Sequence, residues 1–277
     1  MLLIDGDQFL YRGVAAVEHE VRWDDNNHVL VSNVEEAWDT VSRIVERLFE
    51  QFKTRDHVMC FSCAAVDCFR MSVSSTYKTG RKETRKPMCF TAVKERLLDK
   101  YNSLDFPCLE ADDVMGILAT KPGDREKIII SQDKDMRSIP GKLWRTTDGR
   151  DGAIETISKE AADHFHIYQT LAGDVTDGYV GCPGVGAVAV TAFLTEPFKW
   201  VSYEHTFKTG VKKDTSVTRW KQEPLADGET LWDGVVSIFQ KAGLTEADAL
   251  VQARLARILR WSDWDSDAKT PILWSPN

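Results

Sequence analysis

Three consecutive isoleucines, Ile128, Ile129 and Ile130, stop abruptly at Ser131-Gln132-Asp133-Lys134-Asp135. A run this short, β-branched and unbroken reads as a strand buried on both faces of a parallel sheet. The acids that follow then stand at its carboxyl end, where open α/β sheets bind their ligands. Upstream, Glu110-Ala111-Asp112-Asp113 leads into an apolar stretch (Val114, Ile117, Leu118) and a Lys-Pro-Gly-Asp turn. The order predicted is helix N-terminus, helix, turn, strand. Capping and the helix dipole account for one or two acids at a helix start. They do not account for Asp133 and Asp135 repeating the theme after the strand. Met1 to Ile4, ending in Asp5-Gly6-Asp7, has the same form of strand followed by acids. Carboxylates crowded in this way resist ionising unless a cation sits among them, so a divalent-metal site is expected.

The rest of the chain supplies a scaffold and a polyanion-binding surface. Val34, Trp38, Val41, Val45, Leu48, Phe49 and Phe52 keep a helical period over 34–52, and a second strand is expected at 58–61. Cys60 and Cys63 form a CxxC, but no second pair and no nearby histidine completes a zinc set, so they read as small hydrophobes of that strand. Between Tyr77 and Lys86 five basic residues (Lys78, Arg81, Lys82, Arg85, Lys86) face one acid, Glu83. Such a cluster neutralises phosphates and releases counterions, and the Tyr77 ring could stack on a base. The net charge of −8 argues against a protein that merely coats nucleic acid, and leaves room for an enzyme with locally concentrated bases.

A helix at about 90–101 precedes the acidic knot. A hairpin around Asp148-Gly149 (142–147 with 153–157) and a helix near 159–172 follow it. Asp174 and Asp177, three apart, then precede a glycine-rich turn that includes Gly178, Gly181, Gly184 and Gly186 and opens an apolar helix. That turn formally fits GxGxxA, but no strand precedes it, so a phosphate clamp made of backbone N–H groups is the better reading. From 199 to 227 the chain reads as a polar, irregular, exposed excursion offering a second DNA contact through Lys208, Lys212, Lys213, Arg219 and Lys221. Two amphipathic helices and a tryptophan-containing tail complete the chain. No apolar run approaches the roughly 20 residues of a membrane span, and no signal-peptide pattern stands at Met1. An intracellular protein is expected.

The segments LLIDGD, YKTGR, LEADDVMG, IISQDKDM and GDVTDGYVGCPGVG occur in the order found in the flap-endonuclease and 5′–3′ exonuclease family. The chain resembles most nearly the gene-six-type exonucleases of short-tailed phages, and ETLWD and ARLARILR extend the likeness toward the C-terminus. The resemblance implies an α/β, PIN-like (resolvase-like) domain with a mostly parallel central sheet flanked by helices, at 1–157. It also implies a helical arch at about 68–106 and a helix–three-turn–helix domain at 158–277. Metal ligands carried over are Asp5, Glu110, Asp112, Asp113, Asp133, Asp135, Asp174 and Asp177. Lys78 and Arg81 match catalytic residues of the arch, and Tyr77, Lys78, Arg81, Lys82, Arg85, Gly184 and Gly186 match DNA contacts. The implied cofactors are Mg²⁺, two ions with Mn²⁺ as a substitute, and K⁺ at the helix–three-turn–helix.

The implied activity is metal-dependent hydrolysis from 5′ ends of double-stranded DNA, extending to flaps and to RNA in RNA–DNA hybrids. Phage replication proteins would be partners and the cytoplasm of an infected host the setting. One position departs from the family: an Asp usually follows the 58–61 strand, and here Ser62 and Cys63 do, with Asp67 the nearest acid. Either Asp67 substitutes or the site is one ligand short. A phosphatase using Asp5 as a covalent nucleophile leaves the basic segment unexplained. A catalytically silent DNA-structure-binding protein on the same fold is the alternative reading.

Overall fold

The computed structural model describes residues 1–80, 85–145, 152–209, 211 and 214–276. Its contacts define two compact units. The first comprises Met1–Ser72, Arg81–Ala162 and Ile258–Ile272; the second comprises Val73–Gly80, Asp163–Arg257 and Leu273–Asn277. This differs from the consecutive division expected at 157/158, and hydrogen bonds give the reason. The Leu259 N–H donates to Asp113 Oδ1 at 3.0 Å, which ties the late segment to the first unit. The Lys78 N–H donates to the Asp177 carbonyl at 2.9 Å, which ties 73–80 to the second.

In chain order the first unit holds β1 (Leu2–Asp5), α1 (Gly6–Ala15), β2 (His19–Arg22), β3 (His28–Val31), α2 (Val34–Phe52) and β4 (His57–Phe61). Next come the short α3 (Arg70–Val73), reaching into the boundary, α4 (Phe90–Lys100), β5 (Ser103–Asp105), α5 (Ala111–Thr120), β6 (Ile128–Ile130), β7 (Gly141–Trp144) and β8 (Ile154–Ile157). The six-stranded sheet runs β5-β4-β1-β6-β7-β8, parallel except for the β7–β8 hairpin. The turn expected at Asp148-Gly149 lies outside the described residues; the hairpin is closed by Trp144 Nε1–H donating to the Gly152 carbonyl at 2.7 Å.

β1 is central, with Leu2, Leu3 and Ile4 at most 1% exposed, and its neighbours β4 and β6 lie on either side. Such strands read as continuous apolar runs because helices cover both faces. Phe9, Leu10 and Val14 of α1 and Val41, Val45 and Leu48 of α2 share one core with β1 and β4; each fully buried side chain of this kind contributes about 1.5–3 kcal/mol. Asn33 caps α2 by accepting from the N–H groups of Glu35 and Glu36. α5 meets the late segment closely, since a Cβ on Gly116 would lie 2.3 Å from the Leu259 carbonyl oxygen. There only glycine fits.

The second unit has its own core, built from α6 (Lys159–Ala172, whose first turn belongs to the first unit), α7 (Ala187–Thr195), α8 (Leu231–Lys241) and α9 (Glu246–Ala256). Between α7 and α8 the irregular excursion expected at 199–227 is instead a two-stranded antiparallel ribbon, β9 (Phe198–Thr206) with β10 (Ser216–Pro224). Its strands alternate side chains between two faces, but polar residues occupy most of both, so a search for apolar alternation passes over it. Ile258 and Leu259 lie beyond α9, in the segment packed on α5, and two short strands, β11 (Trp264–Asp265) and β12 (Thr270–Pro271), close the first unit. Among the described residues no helix is long and apolar enough to cross a membrane.

Candidate active site

Because β4, β1 and β6 are parallel neighbours, their carboxyl ends open on one edge of the sheet, and the order changes direction at β1. That is the switch point at which such sheets bind ligands. Asp5 ends β1 abreast of Cys60. Its carboxylate accepts from the Gln8 N–H at 3.1 Å and from the Ser131 hydroxyl at 2.8 Å. Burial pushes its pKa up to about 7, against the lowering effect of these two hydrogen bonds and with further upward pressure from the charges of Asp7 and Asp133. The Cys60 thiol is raised well above its usual value, first by burial and then by Asp5, Asp112 and Asp7. Acids from β1, α1, α5 and the loop after β6 thus act on one small region.

The loop after β6 is held rigidly. The Asp133 N–H donates to Ser131 Oγ at 3.1 Å, and Asp133 Oδ1 accepts from the Asp135 N–H at 2.8 Å. Gln8 Oε1 accepts from the Gln132 N–H at 2.8 Å. Ser131 and Gln8, neither of which sequence reasoning singled out, therefore orient the acids. Asp133 and Asp135 are half-buried. Among the described residues no three of these side chains stand in ligating geometry about one point; Asp5 and Asp133 are linked through Ser131. The donor set is all oxygen, and its mutual repulsion suits a hard divalent cation.

The raised Asp5 pKa has a measurable consequence. Between about pH 4 and 7 the folded protein holds a proton on Asp5 that the unfolded chain has released, so stability in EDTA falls as pH rises through that window. The loss expected is on the order of a few kcal/mol. Thermal unfolding in EDTA from pH 4 to 8 should show it, and Asp5→Asn should flatten the slope. An unchanged slope in that variant would assign the effect to other groups.

At the start of α5 the acids divide their work. Asp113 is fully buried, and Arg70, 2% exposed, donates to both its oxygens at 2.6 and 2.8 Å. The N–H groups of Glu110 and Leu259 also donate to Asp113. This corrects the expectation for Asp113: its lone pairs are committed inside the protein, and it is a structural acid. The same Arg70 Nη1 donates to Glu110 Oε2 at 3.0 Å. The one sequence sign of Arg70 is a cation set between Phe69 and Met71. Where the family carries an Asp after β4, Ser62 donates its N–H to Asp7 Oδ2 at 2.7 Å and accepts from the Ala111 N–H at 3.0 Å. Asp67 lies exposed in the turn Ala65–Asp67, its charge acting on Cys63.

In the second unit Lys78 Nζ lies 3.5 Å from Asp177 Oδ2 and 5.1 Å from the centroid of the Tyr77 ring. Tyr77 is 4% exposed, which corrects its expected role: its ring is packed away and not presented for stacking. Asp174 Oδ1 accepts from the Thr176 and Asp177 N–H groups. Gly178, at φ +78°, permits the close approach of 73–80, because a Cβ there would meet the Thr76 carbonyl at 2.8 Å. Gly184 (φ +75°) and Gly186, the residue before α7, stand exposed with open space around them. Their N–H groups lie at a helix N-terminus, a position suited to an anion. In the first unit Arg85 makes a two-pronged pair with Glu18 at 2.7 and 2.9 Å. Arg81 and Lys82 lie outside the described residues.

A mostly parallel sheet with acids at its carboxyl edge, joined to a helix–glycine turn–helix unit, defines a resolvase-like nuclease architecture. Residues 1–164 match the family described as 5′-3′ exonuclease, N-terminal resolvase-like domain. The whole chain is 36% identical over 296 residues to an exodeoxyribonuclease of Enterobacteria phage T3, and 34% identical over 296 residues to an exonuclease of Escherichia phage T7. Each alignment covers 100% of this chain and 93% of the relative. The chain belongs to the 5′–3′ exonuclease family, and it is a nuclease.

Solved structures agree on the fold. A lysine-to-alanine variant of the phage T5 5′-exonuclease gives a TM-score of 0.52 at 12% identity, covering 91% of this chain and 87% of that one. The T5 5′-exonuclease with divalent zinc ions bound gives 0.51 at 15% identity, covering 70% of this chain and 74% of that one.

Proposed function

We propose that the protein is a divalent-metal-dependent 5′–3′ exonuclease that hydrolyses duplex DNA from its 5′ ends, with Mg²⁺ as the working ion. The observation that carries the metal reading is Asp5, buried at the carboxyl edge of the sheet with its pKa lifted to about 7 by burial and by the charges of Asp7 and Asp133. Asp5, Glu110, Asp112, Asp133 and Asp135 are the ligands proposed in the first unit, and Asp174 and Asp177 are carried over from the family as further ligands in the second. When bound, such cations supply Lewis-acid stabilisation of charge at the phosphoryl group and raise the acidity of water.

The chain's own residues do the rest. Ser131 and Gln8 fix the orientation of Asp5, and Arg70 holds Glu110. Lys78, restrained by Asp177 and by the Tyr77 ring, supplies positive charge to the developing phosphorane. Arg81 is proposed for the same task on the family's pattern. The exposed turn at Gly184 and Gly186 holds backbone phosphate through N–H groups.

The test is digestion of duplex DNA labelled at either end, in Mg²⁺ and in EDTA. Early Mg²⁺-dependent loss of the 5′ label as mononucleotides is the expected result; longer 5′-labelled fragments would replace it with flap-type cutting. In the same assay Lys78→Ala should slow cleavage by about 10²- to 10³-fold, the range for losing one preorganised charge-stabilising contact, with little change in affinity. If affinity alone falls, Lys78 anchors phosphate and takes no part in the chemistry.

A further inference from the structure

We infer that the β9–β10 ribbon is a second duplex-DNA contact, gripping phosphates through one charged face. The inference rests on the reading of the protein as a nuclease acting on duplex DNA. Nine residues pair on each strand, giving an arm about 30 Å long. Only its root is anchored. Phe198 and Trp200 pack against the second core, and the Trp200 N–H donates to Ser237 Oγ at 2.8 Å. Gly234 of α8 lets the strand approach, since a Cβ there would lie 2.8 Å from the Phe198 carbonyl oxygen. Among the described residues no further strand pairs with either edge of the ribbon, a state that proteins otherwise avoid because unpaired edges invite aggregation.

The register sorts the side chains. Lys199, Val201, Tyr203 and His205 of β9 fall on the same face as Glu223, Lys221, Arg219 and Val217 of β10. The opposite face carries Ser202, Glu204 and Thr206 beside Trp220, Thr218 and Ser216, and there Thr218 Oγ1 donates to Glu204. On the first face Lys199 is paired with Glu229 and Lys221 with Glu223, both toward the root. The Lys221–Glu223 pair is exposed and of small worth, so it exchanges readily. Farther out, Arg219 lies 5.4 Å from the centroid of the Phe207 ring, and Lys208 is exposed beside it in sequence. From 201 to 221 the sequence has five Lys and Arg (Lys208, Lys212, Lys213, Arg219, Lys221) against two acids, Glu204 and Asp214. In a chain of net charge −8 this is a local reversal of sign. A projecting two-stranded ribbon with one basic face fits a DNA groove and its phosphates.

The experiment is a salt titration of binding to a blunt duplex in EDTA, where cutting is suppressed, using wild type, the triple variant Lys208→Ala/Arg219→Ala/Lys221→Ala, and Thr218→Ala on the opposite face. All four positions are exposed, so the variants keep the fold, which circular dichroism checks. The triple variant should bind at least roughly 10-fold more weakly at 0.15 M salt, with its log K against log salt slope reduced by about 2 to 3, near 0.9 for each lost phosphate contact. Thr218→Ala should leave both unchanged. A triple variant with the wild-type slope, while wild type still digests duplex DNA, would overturn the ribbon contact and leave the nuclease reading intact. Wild type that neither binds nor digests the duplex would overturn both.

Discussion

Asp133→Asn should lower the cleavage rate by at least about 100-fold while leaving duplex binding close to wild type. The effect is expected to exceed the 10–100-fold typical of losing a group that only supports a metal ligand, because Asp133 is itself a proposed ligand. The substitution keeps the local structure. Asp133 caps the turn Lys134–Ser138 by accepting from the Asp135 N–H, and Asn performs that task about equally well. What is lost is a negative charge beside Asp5, one of the causes of the raised Asp5 pKa. A single-turnover assay on 5′-labelled duplex, set beside a gel shift, separates the two effects. Turnover at the wild-type rate would remove Asp133 from the ligand set.

The largest effect on stability is expected from Arg70→Met. Arg70 and Asp113 are both buried and joined by two hydrogen bonds, with Glu110 sharing the same guanidinium. Removing the cation leaves Asp113 without its counter-charge in the interior, a loss of about 3–5 kcal/mol for buried pairs of this type. Removing both charges should cost less. In a double-mutant cycle Arg70→Met with Asp113→Asn should recover part of the loss. Urea unfolding midpoints measure it, and strictly additive losses would show that the pair is not coupled. Activity should fall further than stability explains, because Glu110 loses its orientation.

Much of the first unit was legible from pattern alone. Ile128–Ile130 is a strand buried between two neighbours, Val34–Phe52 is one helix, and β7 and β8 pair antiparallel as the two strands of the expected hairpin. The ribbon was not legible, because its strands are held by cross-strand pairing and only Phe198 and Trp200 reach a core; alternation of polar with polar leaves no periodic signal. Nor could spacing show which acid of the knot turns inward. Successive helical residues rotate by about 100°, so whether Asp112 or Asp113 faces the interior depends on where the first turn begins. Glu110 as the residue before α5 sets Asp113 toward Arg70. Tyr77 was ambiguous for a related reason: a ring beside a basic run suits both stacking and packing, and the close approach of 73–80 to Gly178 accompanies the second.

The interleaved course of the chain also sets an order for its assembly. Asp113 obtains one of its donors from Leu259, 146 positions later, and Thr120 Oγ1 accepts from the Trp261 N–H, 141 positions later. Bringing such distant residues together carries a loop-closure entropy that grows only slowly with length, yet it cannot be met before the later residues exist. During synthesis the first unit therefore waits, its buried acid partly unsatisfied, until the ribosome has delivered the segment Ile258–Ile272. The second unit is under the same constraint, since Trp274 packs against its core and the Trp274 carbonyl accepts from Arg254 Nε–H at 3.1 Å, so neither unit can be completed in the N-terminal-first order common in multidomain proteins.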